Sequence, residues 1–360
     1  MDYMKRALEL AREALGLSSS NPSVGAVVVK DGQIVGEGHT LPPGQAHAEV
    51  IALRQAGERA RGATLYTTLE PCCHFGKTPP CTRDIIQAGI AQVHMALIDP
   101  NPLVNGKGKA ELERAGISSY LEEGCQEASE VVEAYLKFIA VGLPFVVAKF
   151  AMSLDGKIAT SSGDSKWITS EEARRYAGEL RQQIDAIVVG IGTVLQDDPK
   201  LTSRDASGNP RERQPLRIVV DSSARVPLKA QLFQEHGPLL VATAHAPEDR
   251  MAALRAAGAQ VVALAAKDGF VDLGALLKGL GERQITSLMV EGGGTLLGSF
   301  FDLGLVDKVV AFISPVILGG RHSPSPVAGT GAAVMADSIR LKRTRVAVIG
   351  QDVVMTGYVR

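Results

Sequence analysis

Any fold of this chain is organised around one cluster of soft metal ligands. His47-Ala48-Glu49 is followed, farther along, by Glu70-Pro71-Cys72-Cys73-His74-Phe75-Gly76-Lys77-Thr78-Pro79-Pro80-Cys81, a segment that holds three of the chain's four cysteines. One imidazole and two separated thiolates, from His47, Cys72 and Cys81, form a donor set that Zn²⁺ takes. Three protein ligands leave the fourth tetrahedral position to water, as in catalytic zinc sites. Glu49 stands two residues from His47, so on a regular helix it does not share the histidine's face. The two residues are expected to divide the work, His47 binding metal and Glu49 moving the proton of the bound water. Cys73 and His74 would also allow a closed, four-ligand structural zinc. Neighbouring Cys72 and Cys73 point apart, so one of them binds. Cys72 is expected, because it directly follows Pro71, where a helix would begin and its free amides would favour a thiolate.

A chain of 360 residues, 45% of them hydrophobic, predicts about two domains with ordinary cores. A net charge of −1 gives no electrostatic reason to expect nucleic acid or an acidic membrane surface. Four cysteines in this length are no disulfide framework and fit a reducing compartment. Residues 1–17 carry charges on a helical period, unlike a signal peptide, and the apolar run 138–148 is too short to span a bilayer. The expectation is a soluble, cytoplasmic homo-oligomer acting on small molecules.

Apolar periodicity predicts a helix over 2–16, with Met4, Leu8, Ala11 and Leu15 on one face. Strands over 25–29 and 33–35 flank Asp31-Gly32, a hairpin signal. Further expectations are a helix over 46–56, a strand over 64–68 leading into a helix, a strand over 93–98, a helix over 109–115, a strand over 117–121 and one long helix over 127–141. Gly142-Leu143-Pro144 stops that helix and places a boundary between domains 1–143 and 144–360. A second alternation follows. Its predicted strands are 144–152, 186–190, 216–221, 239–243, 261–264, 287–291, 309–313 and 346–359, and its helices are 170–182, 247–257, 273–280 and 295–301. The polar tract 204–214 reads as a mobile loop. Strand–helix alternation of this kind predicts an α/β sandwich architecture.

The dinucleotide pattern Gly-x-Gly-x-x-Gly is absent, because neither Gly190-Ile191-Gly192 nor Gly292-Gly293-Gly294 has the final glycine in register. Even so, Glu291-Gly292-Gly293-Gly294-Thr295 follows a strand and opens a helix, where glycines and free amides can meet a phosphate. Gly190-Ile191-Gly192-Thr193 offers a second such turn. An ordinary strand-to-helix turn needing φ > 0 would look the same.

The first half resembles the cytidine deaminase superfamily through Asn21-Pro22-Ser23-Val24-Gly25-Ala26, His47-Ala48-Glu49 and Glu70-Pro71-Cys72. Eight residues separate Cys72 from Cys81, where most members have two. The stretch from Thr68 to Cys81 instead resembles the bifunctional deaminase/reductase family of riboflavin biosynthesis. The second half agrees through Lys149-Phe150-Ala151-Met152-Ser153-Leu154-Asp155-Gly156-Lys157, Trp167-Ile168-Thr169-Ser170, Asp197-Asp198-Pro199 and Glu291-Gly292-Gly293-Gly294. The resemblance implies an α/β chain with an N-terminal cytidine-deaminase-like α/β/α sandwich and a C-terminal dihydrofolate-reductase-like domain. It also implies two consecutive reactions on phosphoribosyl-pyrimidines. Zinc held by His47, Cys72 and Cys81, with Glu49 as proton shuttle, would deaminate 2,5-diamino-6-(5-phospho-ribosylamino)pyrimidin-4(3H)-one. NADPH would then reduce the ribosyl group to ribityl. Asn21 would grip the first substrate, and His74, Lys77 and Thr78 are candidates for its phosphate. Carried over residue by residue, Ala151, Trp167, Thr193, Asp197, Ser222, Gly293, Gly294 and Thr295 would face NADPH. Ser165, Arg181, Leu201, Arg204 and Glu291 would face the substrate, with Lys149 near the hydride acceptor. Read without the family, Arg181 and Arg204 are surface salt bridges and Trp167 is equally a core residue.

Two rivals remain. One is a zinc deaminase of tRNA or free nucleosides with an accessory second domain, disfavoured by the near-neutral charge and 4% aromatic content. The other is a zinc-stabilised binding module, which leaves Glu49 without a task. For the cofactor, Ser222, Ser223 and Arg225 after Asp221 suit a ribose 2′-phosphate, whereas Asp221 itself suits the bare 2′-hydroxyl of NADH.

Overall fold

A computed structural model describes residues 2–122, 126–205 and 207–359. The chain forms two compact units, Met1–Leu143 and Pro144–Arg360.

In the first unit, Asp2 caps helix α1 (Tyr3–Glu13) by accepting from the Lys5 amide at 3.0 Å. The hairpin β1 (Gly25–Lys30) and β2 (Gln33–His39) turns through Asp31 and Gly32, both at positive φ, as a two-residue primed turn requires. Helix α2 (Ala48–Ala56), β3 (Thr64–Thr67), α3 (Cys81–Ala88), β4 (Gln92–Met95), α4 (Lys107–Arg114) and β5 (Ser118–Leu121) follow. The sheet order is β2-β1-β3-β4-β5, antiparallel at the hairpin end and parallel from β3 to β5.

Strand alternation divides the sheet's side chains between two cores. Val28, Leu65 and Val93 point into the larger one with Ala52 of α2 and Ile85 of α3, while Val27 and Val29 meet Leu8 of α1 on the other face. That is an α/β/α sandwich. Glycine lets α2 sit close on the hairpin: a Cβ on Gly36 would run into the Ala52 carbonyl. The long helix expected over 127–141 is two helices, α5 (Gln126–Val131) and α6 (Glu133–Val141), broken at Val132 with φ −104° and ψ 15°.

The helix expected to begin at Cys72 does not form. Residues 69–80 are irregular and contain Pro71, Pro79 and Pro80, and α3 starts only at Cys81 with Pro80 as its N-cap. Proline removes amide donors and fixes φ, so this stretch cannot be helical throughout.

The second unit runs β6 (Phe145–Ser153), α7 (Glu171–Gln183), β7 (Ala186–Gly190), α8 (Ile191–Asp197), β8 (Leu216–Val220), α9 (Gln231–Gln234), β9 (Leu239–Thr243), α10 (Glu248–Ala256) and β10 (Gln260–Ala263). It continues with the ribbon β11 (Ala266–Lys267) and β12 (Phe270–Val271), α11 (Leu273–Glu282), β13 (Ser287–Glu291), α12 (Gly294–Asp302), β14 (Lys308–Ser314), β15 (Lys342–Ile349) and β16 (Asp352–Tyr358). The nine-stranded sheet has the order β10-β9-β8-β7-β13-β6-β14-β16-β15, parallel except where β16 joins β14 and β15. Its central strands are mostly apolar and buried on both faces, as parallel strands covered by helices are, with Arg217 in β8 and Ser287 and Glu291 at the ends of β13 as buried polar exceptions.

Several elements depart from the sequence expectation here, among them the short helix α9, where no helix was expected. The single strand over 346–359 is the hairpin β15–β16, turned at Gly350 with φ +60°. The turn after β7 opens directly into α8, and the β11–β12 ribbon was not anticipated. The tract 204–214 is an irregular loop carrying one bridge, Arg204 to Pro210, with Ala206 outside the described residues.

Candidate active sites

In the first unit, His47 is the N-cap of α2 and Cys81 the first residue of α3, while Cys72 lies in the irregular stretch before α3. Among the described residues, one ligand atom from each of these three lies within 4.8 Å of the others. His47 Nδ1 stands 3.6 Å from Cys72 Sγ and 3.3 Å from Cys81 Sγ. One imidazole nitrogen and two sulfurs facing a common point fit Zn²⁺, with a fourth position left over. The Cys81 amide donates to Cys72 Sγ at 3.3 Å, so the start of α3 does serve Cys72, although Cys72 is not in that helix. Hydrogen bonding from Cys81, then from His47, holds the Cys72 thiol down to about 4, while Cys81, bonded to that thiolate and buried, is pushed well up. The two sulfurs compete for one set of donors, and a divalent cation would deprotonate both.

Glu49 is only 4% exposed, and burial pushes its carboxyl pKa upward. The Cys81 thiol approaches its Oε2 at 3.5 Å. Thr78 Oγ1 lies 3.3 Å from His47 Nε2, on the side of the ring away from the sulfurs. Cys73 is outside the cluster and approaches the Leu103 carbonyl at 3.7 Å. His74 is also outside it, its Nδ1 buried without a hydrogen-bond partner among the described residues. Asn21 sits half-buried in the turn before β1, and Lys77 is exposed on the loop. Cys125 lies outside the described residues.

Sequence reasoning gave Glu70 no task, yet it holds the segment in place. Its carboxylate accepts from the amides of Asp99 at 3.2 Å, Gly106 at 2.9 Å and Lys109 at 2.9 Å, closing the start of α4. Gly108 lets α4 come that near, because a Cβ there would strike the Pro71 carbonyl. A carboxylate directly before the Pro-Cys pair was the available signal.

In the second unit, the two glycine turns converge. Gly292 and Gly293, at φ +69° and +74°, lead from β13 into α12, and a Cβ on Gly293 would come within 3.1 Å of Thr193 Oγ1. Thr193 lies in the first turn of α8, and Thr295 is exposed in that of α12. A cavity of about 440 Å³ opens between these turns and the end of β8, reaching Thr193, Ser222, Gly293 and Thr295.

A charged group lies at the ends of β6 and β13. Glu291 is buried and accepts both Arg181 Nε and Nη2 at 2.7 Å, a bidentate pair, while Arg181 Nη1 donates to the Thr202 carbonyl at 3.2 Å. Burial would raise the Glu291 pKa, but Arg181, and then Lys149, overcome it and hold it below the ordinary value. Lys149 is half-buried above the Phe312 ring, 5.1 Å from its centroid, and burial lowers its pKa against the pull of Glu291. Arg204 is engaged as well, by Thr202 Oγ1, the Gly208 carbonyl and Glu235. Both arginines are in salt bridges, as residue type alone suggested, but each pairs with a largely buried carboxylate, Glu291 for Arg181 and Glu235 for Arg204.

Ser165 donates to Asp197 at 2.8 Å, tying an expected substrate contact to an expected cofactor contact. Trp167 is 69% exposed and stacked under Arg174, so it is not a core residue. Ala151 is half-buried in β6, whereas Leu201 is buried in the core around β7 and β8 with φ +51°. Asp221 is fully buried, accepting from the Val226 amide at 2.9 Å and Arg225 Nε at 3.2 Å.

Residues 1–97 match the cytidine and deoxycytidylate deaminase zinc-binding region, and residues 144–355 match the RibD C-terminal domain. The riboflavin biosynthesis protein RibD of Aquifex aeolicus is 45% identical, with 98% of this chain and 97% of the relative covered. The Escherichia coli protein of the same name is 40% identical, with 98% and 97% covered. The solved structure of Acinetobacter baumannii RibD superposes with a TM-score of 0.88 at 36% identity, covering 99% of this chain and 97% of that one. The Thermotoga maritima diaminohydroxyphosphoribosylaminopyrimidine deaminase/5-amino-6-(5-phosphoribosylamino)uracil reductase gives 0.85 at 35% identity over the same shares. A zinc-binding deaminase region followed by a RibD reductase domain, with relatives at this identity along nearly the whole chain, places the protein in the RibD family of bifunctional deaminase/reductases of riboflavin biosynthesis.

Proposed function

We propose that the unit 1–143 hydrolytically deaminates 2,5-diamino-6-(5-phospho-ribosylamino)pyrimidin-4(3H)-one, and that the unit 144–360 then reduces the product's ribosyl group to ribityl with NADPH. The convergence of His47, Cys72 and Cys81 on one point, with Glu49 against Cys81, carries the first half of this reading.

When bound, Zn²⁺ supplies a Lewis acid that makes water a nucleophile at neutral pH. His47 would hold the metal with Nδ1, the nitrogen facing both sulfurs, and with the proton on Nε2 the ring would donate to Thr78 Oγ1 and be fixed. Glu49 accepts the proton of the attacking water and returns it to the departing ammonia, one C–N bond breaking as one C–O bond forms. Burial raises its pKa, which favours its protonated form. Asn21 grips the pyrimidine, and Lys77 and His74 meet the ribose phosphate.

In the second unit bound NADPH would supply the hydride that reduces C1′ of the ribosyl group. Ala151, Trp167, Thr193, Asp197, Ser222, Gly293, Gly294 and Thr295 hold the cofactor. Ser165, Arg181, Leu201, Arg204 and Glu291 hold the substrate, with Leu201 contributing backbone because its side chain is buried. Lys149, made more acidic by burial, provides the proton taken up by the ring oxygen as the C1′–O4′ bond opens. Arg181 keeps Glu291 ionised beside it.

The same reading takes the chain as a cytoplasmic homo-oligomer. Among the described residues no helix is long and apolar enough to cross a membrane. The edge strand β15 leaves Val346 and Val348 65% and 72% exposed, an apolar edge that a second copy would cover. Incubating the zinc-loaded protein with the diaminopyrimidine phosphate, with and without NADPH, tests the assignment. Ammonia release without NADPH, and NADPH oxidation only after it, is expected; ammonia release from adenosine in tRNA instead would replace it.

A further inference from the structure

Resting on the reading of the second unit as an NADPH-dependent reductase, we infer that Asp352, at the turn of the β15–β16 hairpin, is a positioning residue. By holding Ser170 it sets where Trp167 meets the cofactor. The two ends of this link, Ser170 and Asp352, are 182 positions apart in the chain.

The link is short and buried. Asp352 opens β16 and is fully buried, and its Oδ2 accepts both the Ser170 amide, at 2.7 Å, and the Ser170 hydroxyl, at 2.6 Å. Its Oδ1 is buried with no partner among the described residues. A half-satisfied buried carboxyl group costs stability, so packing alone would favour an apolar side chain here. Nor does capping require it, because Ser170 already caps α7 by accepting from the Ala173 amide at 3.2 Å. What the bond to Asp352 adds is a fixed distance between the start of α7 and the hairpin. The hairpin turn closes tightly on that point: a Cβ on Gly350 would come within 3.0 Å of Ser170 Oγ and 2.9 Å of Glu172 Oε2.

Trp167 stands three residues before Ser170 and is mostly exposed, so no core packing fixes its ring. What holds it is the start of α7. Arg174, in the first turn of that helix, donates from Nη1 to the Thr169 carbonyl at 2.6 Å and lays its guanidinium over the Trp167 ring, 4.6 Å from the centroid. Backbone and ring are therefore both referred to the first turn of α7, and Asp352 locates that turn against the sheet. An exposed aromatic side chain held only in this way moves whenever its anchor moves, and catalytic sites are sensitive to displacements of about 1 Å.

Trp167 is the only tryptophan of the chain, so its fluorescence reports this one ring. Titrating the full, zinc-loaded protein with NADPH, without substrate, tests the inference. Asp352→Ala should lower the anisotropy of the Trp167 emission and weaken NADPH about tenfold, the value of one lost hydrogen bond to a charged group, while ammonia release by the first unit stays near the parent rate. Asp352→Asn keeps one oxygen for both Ser170 donors and should restore both readings. A merely structural carboxyl group would lower the unfolding temperature of Asp352→Ala yet leave anisotropy and affinity at the parent values, and that result overturns the inference. So does a fall in anisotropy with unchanged affinity, because the ring would then be held for something other than the cofactor. If Asp352→Ala does not fold, Ser170→Ala, which keeps the amide donor and loses the hydroxyl, decides by the same two readings. A parent that does not bind NADPH at all overturns the reductase reading together with the inference.

Discussion

The two sites are built on opposite plans. In the first unit the working side chains come from a span of 35 positions, 47 to 81, and turn toward one another: two sulfurs and an imidazole nitrogen meet at a point, with a buried carboxylate beside them. In the second unit the candidates are spread from Lys149 to Thr295 and most are already satisfied by the protein, as in the Arg181–Glu291 pair and the Ser165–Asp197 bond. A metal site must leave strong donors unsatisfied until its cation arrives, so its residue types betray it. A cofactor cleft is made of turns, backbone amides and shape, which the same residue types furnish in any α/β protein. The glycines at 292 and 293 matter through their positive φ and their closeness to Thr193, and composition does not record either.

Removing a ligand should break the contrast most strongly. Cys72→Ala and Cys81→Ala are each expected to lose zinc and all measurable deamination by metal analysis and ammonia release, while NADPH-dependent reduction of supplied uracil product continues. Cys73→Ser should keep its zinc, because Cys73 Sγ points to Leu103. Zinc retained in Cys72→Ala would mean that the cluster is assembled differently.

The second unit should be most sensitive at its buried ion pair. Arg181→Met leaves Glu291 charged, buried and unpaired, and is expected to cost about 3–5 kcal/mol of that unit's stability and its reductase activity, with zinc content unchanged. The pH dependence has a definite sign. Glu291 titrates below its ordinary range when folded, so the pair's stabilisation is present above about pH 4.3 and is lost as pH falls toward the depressed value. Thermal unfolding of the parent should show that loss, and Arg181→Met should not.

A smaller effect is expected where α2 is seated. Gly36→Ala places a methyl group against the Ala52 carbonyl and should cost about 1–3 kcal/mol of the first unit's stability by thermal unfolding. Because α2 carries His47 and Glu49, deamination should fall further than reduction does. Asp2→Ala removes the cap of α1, which touches neither site, and should cost about 1 kcal/mol with both activities near the parent's.

Much of this was legible in the sequence, for identifiable reasons. Strands 186–190, 239–243 and 287–291 coincide with their short apolar runs, because a strand buried on both faces is mostly apolar. Asp31-Gly32 named its own turn. The helix expected at Cys72 failed because the prolines at 79 and 80 defer it to Cys81, and the thiol is served instead by the Cys81 amide reaching back across the loop. The strand expected over 346–359 contains Gly350-Gln351-Asp352, and the Gly350 φ of +60° turns the chain there into a hairpin. The β11–β12 ribbon, two residues a side, lies below what periodicity can detect. Glu70 and the Arg181–Glu291 pair depend on partners 29 to 110 residues away, which no local pattern encodes.

The central claim is that one chain carries two chemically independent reactions, and Glu49→Gln tests it most directly. The change nearly preserves shape and leaves His47, Cys72 and Cys81 in place, but removes the group proposed to accept and return a proton. Deamination should fall by at least about 10², the value of lost general acid–base catalysis, while NADPH-dependent reduction of supplied deaminated substrate stays near the parent rate. Loss of both activities in a folded, zinc-loaded Glu49→Gln protein would contradict that independence.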